Sequence, residues 1–345
     1  MALSVGIIGD NPQYPSILAE TFIPDQLIAG NLKLVTEHVT ISGSAPLPRG
    51  TVMGLVRFGS ITSSTGKTQG SGTVAVAAVP NDGDTVTIQG TAITFNVQSQ
   101  VGQLPAANQV LFTSSMTTAQ VAQAFLAVLK ASTDANLVKM TYTLSSSTIT
   151  ATAVAYGTAG NAYTLATSNS SAFTVSGANL TGGTANAGSA TIGSISAGVA
   201  TKVGVYTITL TSSTQGTVES PTGEVLGTMT MGSAFVDPEI NFTITTGGSP
   251  AAGDIFGINV PDNASAGVWK LCTAGAVDGS NFPQGILTDY FDPSSGNVTG
   301  GIYVMGEFNG NAIVFDSSLT TAAIKSAFRG NGIFIKNVVS AADPT

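Results

Sequence analysis

A mainly β chain with minor α content is the fold class this sequence predicts, on three observations. Charged side chains make up only 9% of the 345 residues, against about a quarter in an ordinary soluble domain, and none occurs from Met140 to Thr201. That uncharged stretch is rich in Val, Ile, Thr and Tyr, whereas disordered segments carry high charge and few β-branched residues. Apolar residues alternate with small polar ones in short runs closed by Gly, Asn, Asp and Pro, and helical spacing marks two segments. A chain of this length can bury a sizeable core and normally holds two or three domains.

Residues 1–22 carry Gly6, Gly9, Pro12 and Pro15 with no sustained period, which predicts an extended or mobile arm. At about 3.3–3.6 Å per residue such an arm spans roughly 70 Å, enough to touch a neighbouring subunit. From Ile23 to Ser60 the pattern is strand-like, with Leu32, Leu34 and Thr36, then Val39 and Ile41, before a turn at Pro46 to Pro48. Ser60 to Gly72 and Gly182 to Gly188 read as Ser/Thr/Gly linkers bracketing an inserted β-rich domain at 70–186.

Within that insert, Val74 to Val79 and Thr85 to Val97 are predicted strands about the turn Pro80-Asn81-Asp82-Gly83-Asp84. Thr117 and Gln120 have capping-box spacing, and Val121, Phe125, Val128 and Leu129 give the following helix one apolar face. Strands then resume at Val138 to Leu144 and Thr148 to Ala155, followed by shorter ones near Leu165 and Phe173.

A second β insert, 187–260, has strand signals at Tyr206 to Leu210, Val225 to Met231 and Asn241 to Ile244. Its turn Pro250-Ala251-Ala252-Gly253-Asp254 echoes Pro80 to Asp84; duplication and independent reuse of good turn chemistry explain the echo equally well. The C-terminal unit supplies strands around Val268 to Cys272, Gln284 to Leu287, Gly301 to Phe308 and Ile333 to Val338. A helix from Leu319 to Arg329, capped by Ser318, is expected between the last two.

The formal net charge of -8 opposes phosphate neutralisation, and the eleven Lys and Arg residues are dispersed along the chain, so neither nucleic acid nor an anionic membrane is an expected partner. The opening residues lack a basic n-region and a continuous apolar core, so no secretory signal is expected, and no segment approaches the ~20 apolar residues of a membrane span. Cys272 is the single cysteine and His38 the single histidine. An intrachain disulfide and a multi-histidine metal site are thereby excluded, and Cys272 reads as a small buried hydrophobe.

Gly66-Lys67-Thr68 fails the phosphate-loop pattern because position 61 is Ile, leaving Lys67 as a solvated linker charge. Asp82 and Asp84 fit a hairpin turn better than a cation site. A carboxylate pair for sugar hydrolysis would have to come from Asp237, Glu239, Asp254, Asp289 or Glu307, with few aromatics to line a cleft. No enzyme, cofactor or metal is expected.

Two ends of the chain carry a resemblance. Trp269-Lys270-Leu271, Asp278-Gly279, Gly285-Ile286-Leu287, Tyr303 to Phe308 and Gly332 to Ile335, with Ile23 to Gly30, Val35-Thr36-Glu37 and Arg49 to Gly54, resemble the lambda-type head decoration (capsid cement) proteins of tailed bacteriophages. These pieces cover about a third of the chain. The resemblance implies a discontinuous decoration-like β base domain, 23–69 plus 261–345, from which both inserts leave and to which they return.

The resemblance further implies a structural virion protein, made in the host cytoplasm. It would bind the major capsid protein on the outer surface of the expanded head, as a homotrimer at three-fold and local three-fold positions, and stabilise that head. The arm, with Ile7, Ile8, Tyr14, Ile17, Leu18 and Phe22 as anchors, is then the candidate capsid-binding segment, adding backbone hydrogen bonds to an exposed sheet edge. The inserts would either enlarge contacts between trimers or present Ser/Thr-rich surfaces to host cells or glycans. The alternative keeps the β modules in a tail-tube or fibre subunit or a surface adhesin.

Overall fold

The computed structural model describes residues 27–100 and 102–337. In chain order the elements are β1 (Val35–Ile41), β2 (Val52–Leu55), β3 (Thr62–Thr65), β4 (Gln69–Val76), β5 (Thr85–Ile88), β6 (Thr91–Val97), β7 (Gln109–Phe112) and α1 (Thr118–Ala131). Next come β8 (Met140–Ser145), β9 (Thr148–Tyr156), β10 (Leu165–Thr167), β11 (Phe173–Val175), β12 (Thr191–Ala197), β13 (Gly204–Leu210), β14 (Gln215–Glu219), β15 (Val225–Thr230), β16 (Ala234–Phe235) and β17 (Ile240–Thr245). The chain continues through β18 (Ile255–Val260), β19 (Trp269–Leu271), β20 (Gly285–Leu287), β21 (Val298–Asn309), α2 (Thr321–Gly330) and β22 (Ile333–Lys336). The fold is mainly β, with two α-helices among the described residues.

The strands group around separate cores. Two four-stranded sheets, β10-β5-β6-β7 and β11-β4-β9-β8, enclose a cluster with α1 in which Phe95 meets Phe125 edge-on at 5.1 Å and Phe173 at 4.5 Å. Helix α1 starts where its capping box dictates: Thr117 accepts from the Gln120 amide, and the Gln120 side chain accepts from the Thr117 amide. Its buried residues Val121, Phe125 and Leu129 follow the expected spacing.

A second core lies between the five-stranded sheet β15-β14-β13-β18-β3 and the three-stranded sheet β12-β17-β16, around Tyr206, Ile208, Phe242 and Phe256. Strands here alternate buried and half-exposed residues, as in β17, so Thr-rich faces meet water while Ile and Phe meet the core.

The third unit joins early and late strands in the order β1-β19-β2-β20-β21-β22, and β1 also pairs with β21, so five of the strands close on themselves. The two-residue period sorts neighbours onto opposite faces. Met53, Leu287 and Ile302 join a cluster with Ile41 and Trp269, whereas Val52, Ile286 and Tyr303 face one with Phe308, Ile324, Phe328 and Ile333. Cys272 is buried in the latter cluster, and burial pushes its thiol up to about 12.

Several local expectations need correction. The stretch Ser60 to Gly72 is no linker: β3 pairs with β18, and β4 starts at Gln69. Ser, Thr and Gly there lie in ladders whose backbone groups pair irrespective of side-chain polarity. The second supposed linker is also tied down, with Thr181 bridging Ser71 and Thr184 bridging Thr68. The last helix is capped by Thr320, whose side chain accepts from Ala323, because the Ser318 hydroxyl instead accepts from the Ala274 amide.

Candidate functional site

The predicted anchors Ile7, Ile8, Tyr14, Ile17, Leu18 and Phe22 lie outside the described residues. What the structure does place is the point where that segment joins the body. Leu27 is buried in the cluster that holds Phe308 and Ile324, and its carbonyl accepts from the Asn309 amide at 2.9 Å. Ile28 bridges Phe308, and the Ala29 amide donates to the Glu307 carbonyl at 2.9 Å. The chain thus enters as a short extra strand on the C-terminal half of β21, opposite the side on which β22 runs parallel.

Glu307 organises this corner. Its carboxylate pairs with Lys336 at 2.7 Å and accepts from the Leu32 amide at 3.4 Å. Bonding to Lys336 and to the backbone, with the Lys336 charge, holds the carboxyl below the usual glutamate range against the opposing effect of burial. A Cβ at Gly30 would meet Glu307 Oε2 at 1.6 Å, so a larger residue there would displace that carboxylate.

Beside Glu307, a small cavity of about 210 Å³ is lined by Lys325, Arg329, Phe334, Ile335 and Lys336. The basic residues are dispersed in sequence, yet the fold collects three of the eleven here. The i, i+4 spacing of Lys325 and Arg329 was the one signal in the sequence for a basic helix flank. Their meeting with Lys336 depends on β22 packing beside α2.

The other singled-out residues serve the framework. Lys67 forms an ion pair at 3.5 Å with Asp254, whose side chain is 1% exposed, and so is not merely a solvated charge. Asp254 also accepts from the Ala187, Gly188 and Ala251 amides. Burial alone would raise its pKa, but those bonds and Lys67 lower it overall. Glu239 accepts from the buried Tyr206 hydroxyl at 3.0 Å and pairs with Lys202 at 2.5 Å.

Asp82 and Asp84 spend their carboxylates on the Val97 and Asn81 amides. The single histidine, His38, lies exposed on β1 opposite Gly301. Asp237 accepts from the Glu239 amide and Asp289 from that of Tyr290. The five carboxylates weighed for sugar chemistry are each engaged by hydrogen bonds or ion pairs, those of Asp254, Glu239 and Glu307 with residues distant in the chain. Among the described residues no helix is long and apolar enough to cross a membrane.

Residues 178–333 match the family model described as bacteriophage lambda head decoration protein D. The matched range includes 187–260 and the C-terminal unit as far as Ile333, and it does not include Ile23 to Met53. This match supports a structural, capsid-binding role in a phage virion. No curated protein sequence matches the chain.

Among solved structures, Xanthomonas campestris FlgL is 24% identical over 22% of this chain and 26% of its own, with a TM-score of 0.19. The flagellar hook junction protein FlgK from Burkholderia pseudomallei is 25% identical over 30% of this chain and 18% of its own, with a TM-score of 0.20. The chain spans about a quarter of the one and less than a fifth of the other, and scores this low carry no argument.

Proposed function

We propose that this chain, with the head decoration family match at 178–333, is a cement protein on the outer surface of an expanded tailed-phage capsid. It binds the major capsid protein as a homotrimer at three-fold and local three-fold positions. The family match is the observation that carries this reading. The closed five-stranded base, tying β1 and β2 to β19–β21, supports a nested organisation in which 187–260, joined by β3 through β18, projects from a discontinuous base and 70–186 leaves from and returns to that module.

The mechanism is thermodynamic. A subunit that binds only the expanded shell shifts the equilibrium toward it by an amount set by affinity and concentration. Bridging neighbouring capsid subunits makes each later contact effectively intramolecular. Residues 1–22 supply the capsid contact as an added strand, and the root at Leu27–Ala29, held on β21 by two backbone bonds, would transmit the load to the folded base.

The test is cosedimentation of the purified protein with expanded heads that lack it. Saturation near one copy per capsid subunit supports trimers at the three-fold positions. Absence of binding, with self-assembly into tubes or fibres, moves the protein to the tail or to an adhesin.

A further inference from the structure

The basic corner of the base has an excess of positive charge that nothing described neutralises. Lys336 is paired with Glu307. The Lys325 ammonium donates to the neutral Asn337 side chain at 2.8 Å, and neither Lys325 nor Arg329 forms an ion pair among the described residues. On a chain of net charge -8, a local cluster of three cations and one carboxylate repels itself and attracts an anionic partner.

The same corner offers backbone groups. Among the described residues β22 ends its sheet and pairs with β21 alone. The Gly306 amide donates to the Gly332 carbonyl and the Gly310 amide to that of Lys336, so the even-numbered residues direct their backbone toward β21. By alternation, Ile333 and Ile335 present theirs to the open edge. Phe334, 42% exposed, lies beside them. An extended acidic segment fits both features at once, as a strand on the edge with carboxylates at the cations.

Such a segment belongs to this chain. Residues 1–26 contain Asp10, Glu20 and Asp25 and no Lys, Arg or His. They join the body at Leu27, and Glu307, which lines the basic cavity, pairs its backbone with Ala29 two residues on. About twenty extended residues reach some 70 Å, far more than the ~15 Å that separates strands three places apart in a sheet, the path from the root across β21 and β22 to the open edge. A tether this short gives an effective concentration near the millimolar range.

We propose that the basic cavity and the open edge of β22 are the docking seat of the chain's own acidic N-terminal segment, residues 1–26, in the free subunit. The capsid then competes with β22 for that segment, and attachment begins when it leaves the edge. The docking itself concerns the subunit without heads and is tested apart from the capsid reading, on which only the competition with the capsid rests.

The test is amide hydrogen exchange on the isolated full chain. The Ile333 and Ile335 amides should exchange at least about 10-fold more slowly than in a chain lacking residues 1–22, with the Ile302 and Phe308 amides slow in both as proof of a folded base. The K325E/R329E variant should lose that protection in the full chain, and adding D10K/E20K to it should restore it. Equal rates with and without residues 1–22, or a charge swap that restores nothing, overturn the proposal. Release of the edge by removing residues 338–345 instead would assign the seat to the C-terminal segment. Protection that rises with protein concentration would assign it to a second copy.

Discussion

Asp84 and Asp254 close the same turn in two different sheets. Each donates its amide to the residue three before it, Asn81 or Ala251, and accepts that residue's amide on its carboxylate. The glycine before each, at φ +86° and +84°, donates to a neighbouring strand at 2.8 Å, to Phe95 in one case and Leu210 in the other. Phe95 lies on β6, which follows its turn, whereas Leu210 lies on β13, which precedes its turn. A tandem duplication would have carried its strand order along. The reversed order favours reuse of one turn chemistry.

Because a Cβ at Gly83 or Gly253 would meet nothing within 4 Å, substitution there tests backbone strain alone. Gly83→Ala and Gly253→Ala should each destabilise by about 1–2 kcal/mol, the cost of a left-handed non-glycine residue. Urea midpoints of the two variants should fall by similar amounts; a fall at only one site would show that the turns are not equivalent.

Asp254 carries more than its counterpart. Its nearly inaccessible carboxylate satisfies three amides and faces Lys67. Asp254→Ala leaves those donors without their acceptor and should cost about 2–4 kcal/mol, measured as a drop in unfolding free energy. Lys67→Ala, removing only a partly exposed partner, should cost about 1 kcal/mol or less.

Acid should weaken the fold through the same group and through Asp278. Burial tends to raise Asp278, but hydrogen bonds from Ser280 and Lys270 and the Lys270 charge outweigh it, so its pKa, like that of Asp254, is lowered. Carboxyls lower in the folded state add stability that is complete above the unfolded value, near 3.9, and lost as pH falls through the folded value. Stability should therefore be flat from pH 7 to about 5 and decline below about pH 4. D254N/D278N should show a shallower decline in denaturation curves taken at successive pH values.

Removing residues 1–22 should abolish binding to heads while leaving the body folded, as read by cosedimentation alongside circular dichroism. Full occupancy by the truncated protein would reject the arm as the attachment segment. Leu27→Ala, which hollows the buried root, should cost about 2–4 kcal/mol and weaken attachment without removing any arm residue.

The β class, the capping box at Thr117 and Gln120, and both Pro-x-x-Gly-Asp turns were legible in the sequence because they depend on residues at most a few positions apart. The periodic strands at Tyr206 to Leu210 and Asn241 to Ile244 were legible for the same reason. The strands β7, β12, β14 and β16 were not: β7 and β16 are only 4 and 2 residues long, too short to show a period, and Thr, Ser and Gly in β12 and β14 carry little pattern. Only the tertiary structure decided that Thr62–Thr65 adds to a sheet through β18, that Lys67 serves Asp254, and that Lys325, Arg329 and Lys336 share one cavity beside the root of the N-terminal segment. Each is a contact between residues far apart in the chain or on separate elements. It is set by strand pairing and by how buried faces pack, and neither periodicity nor composition encodes such pairings.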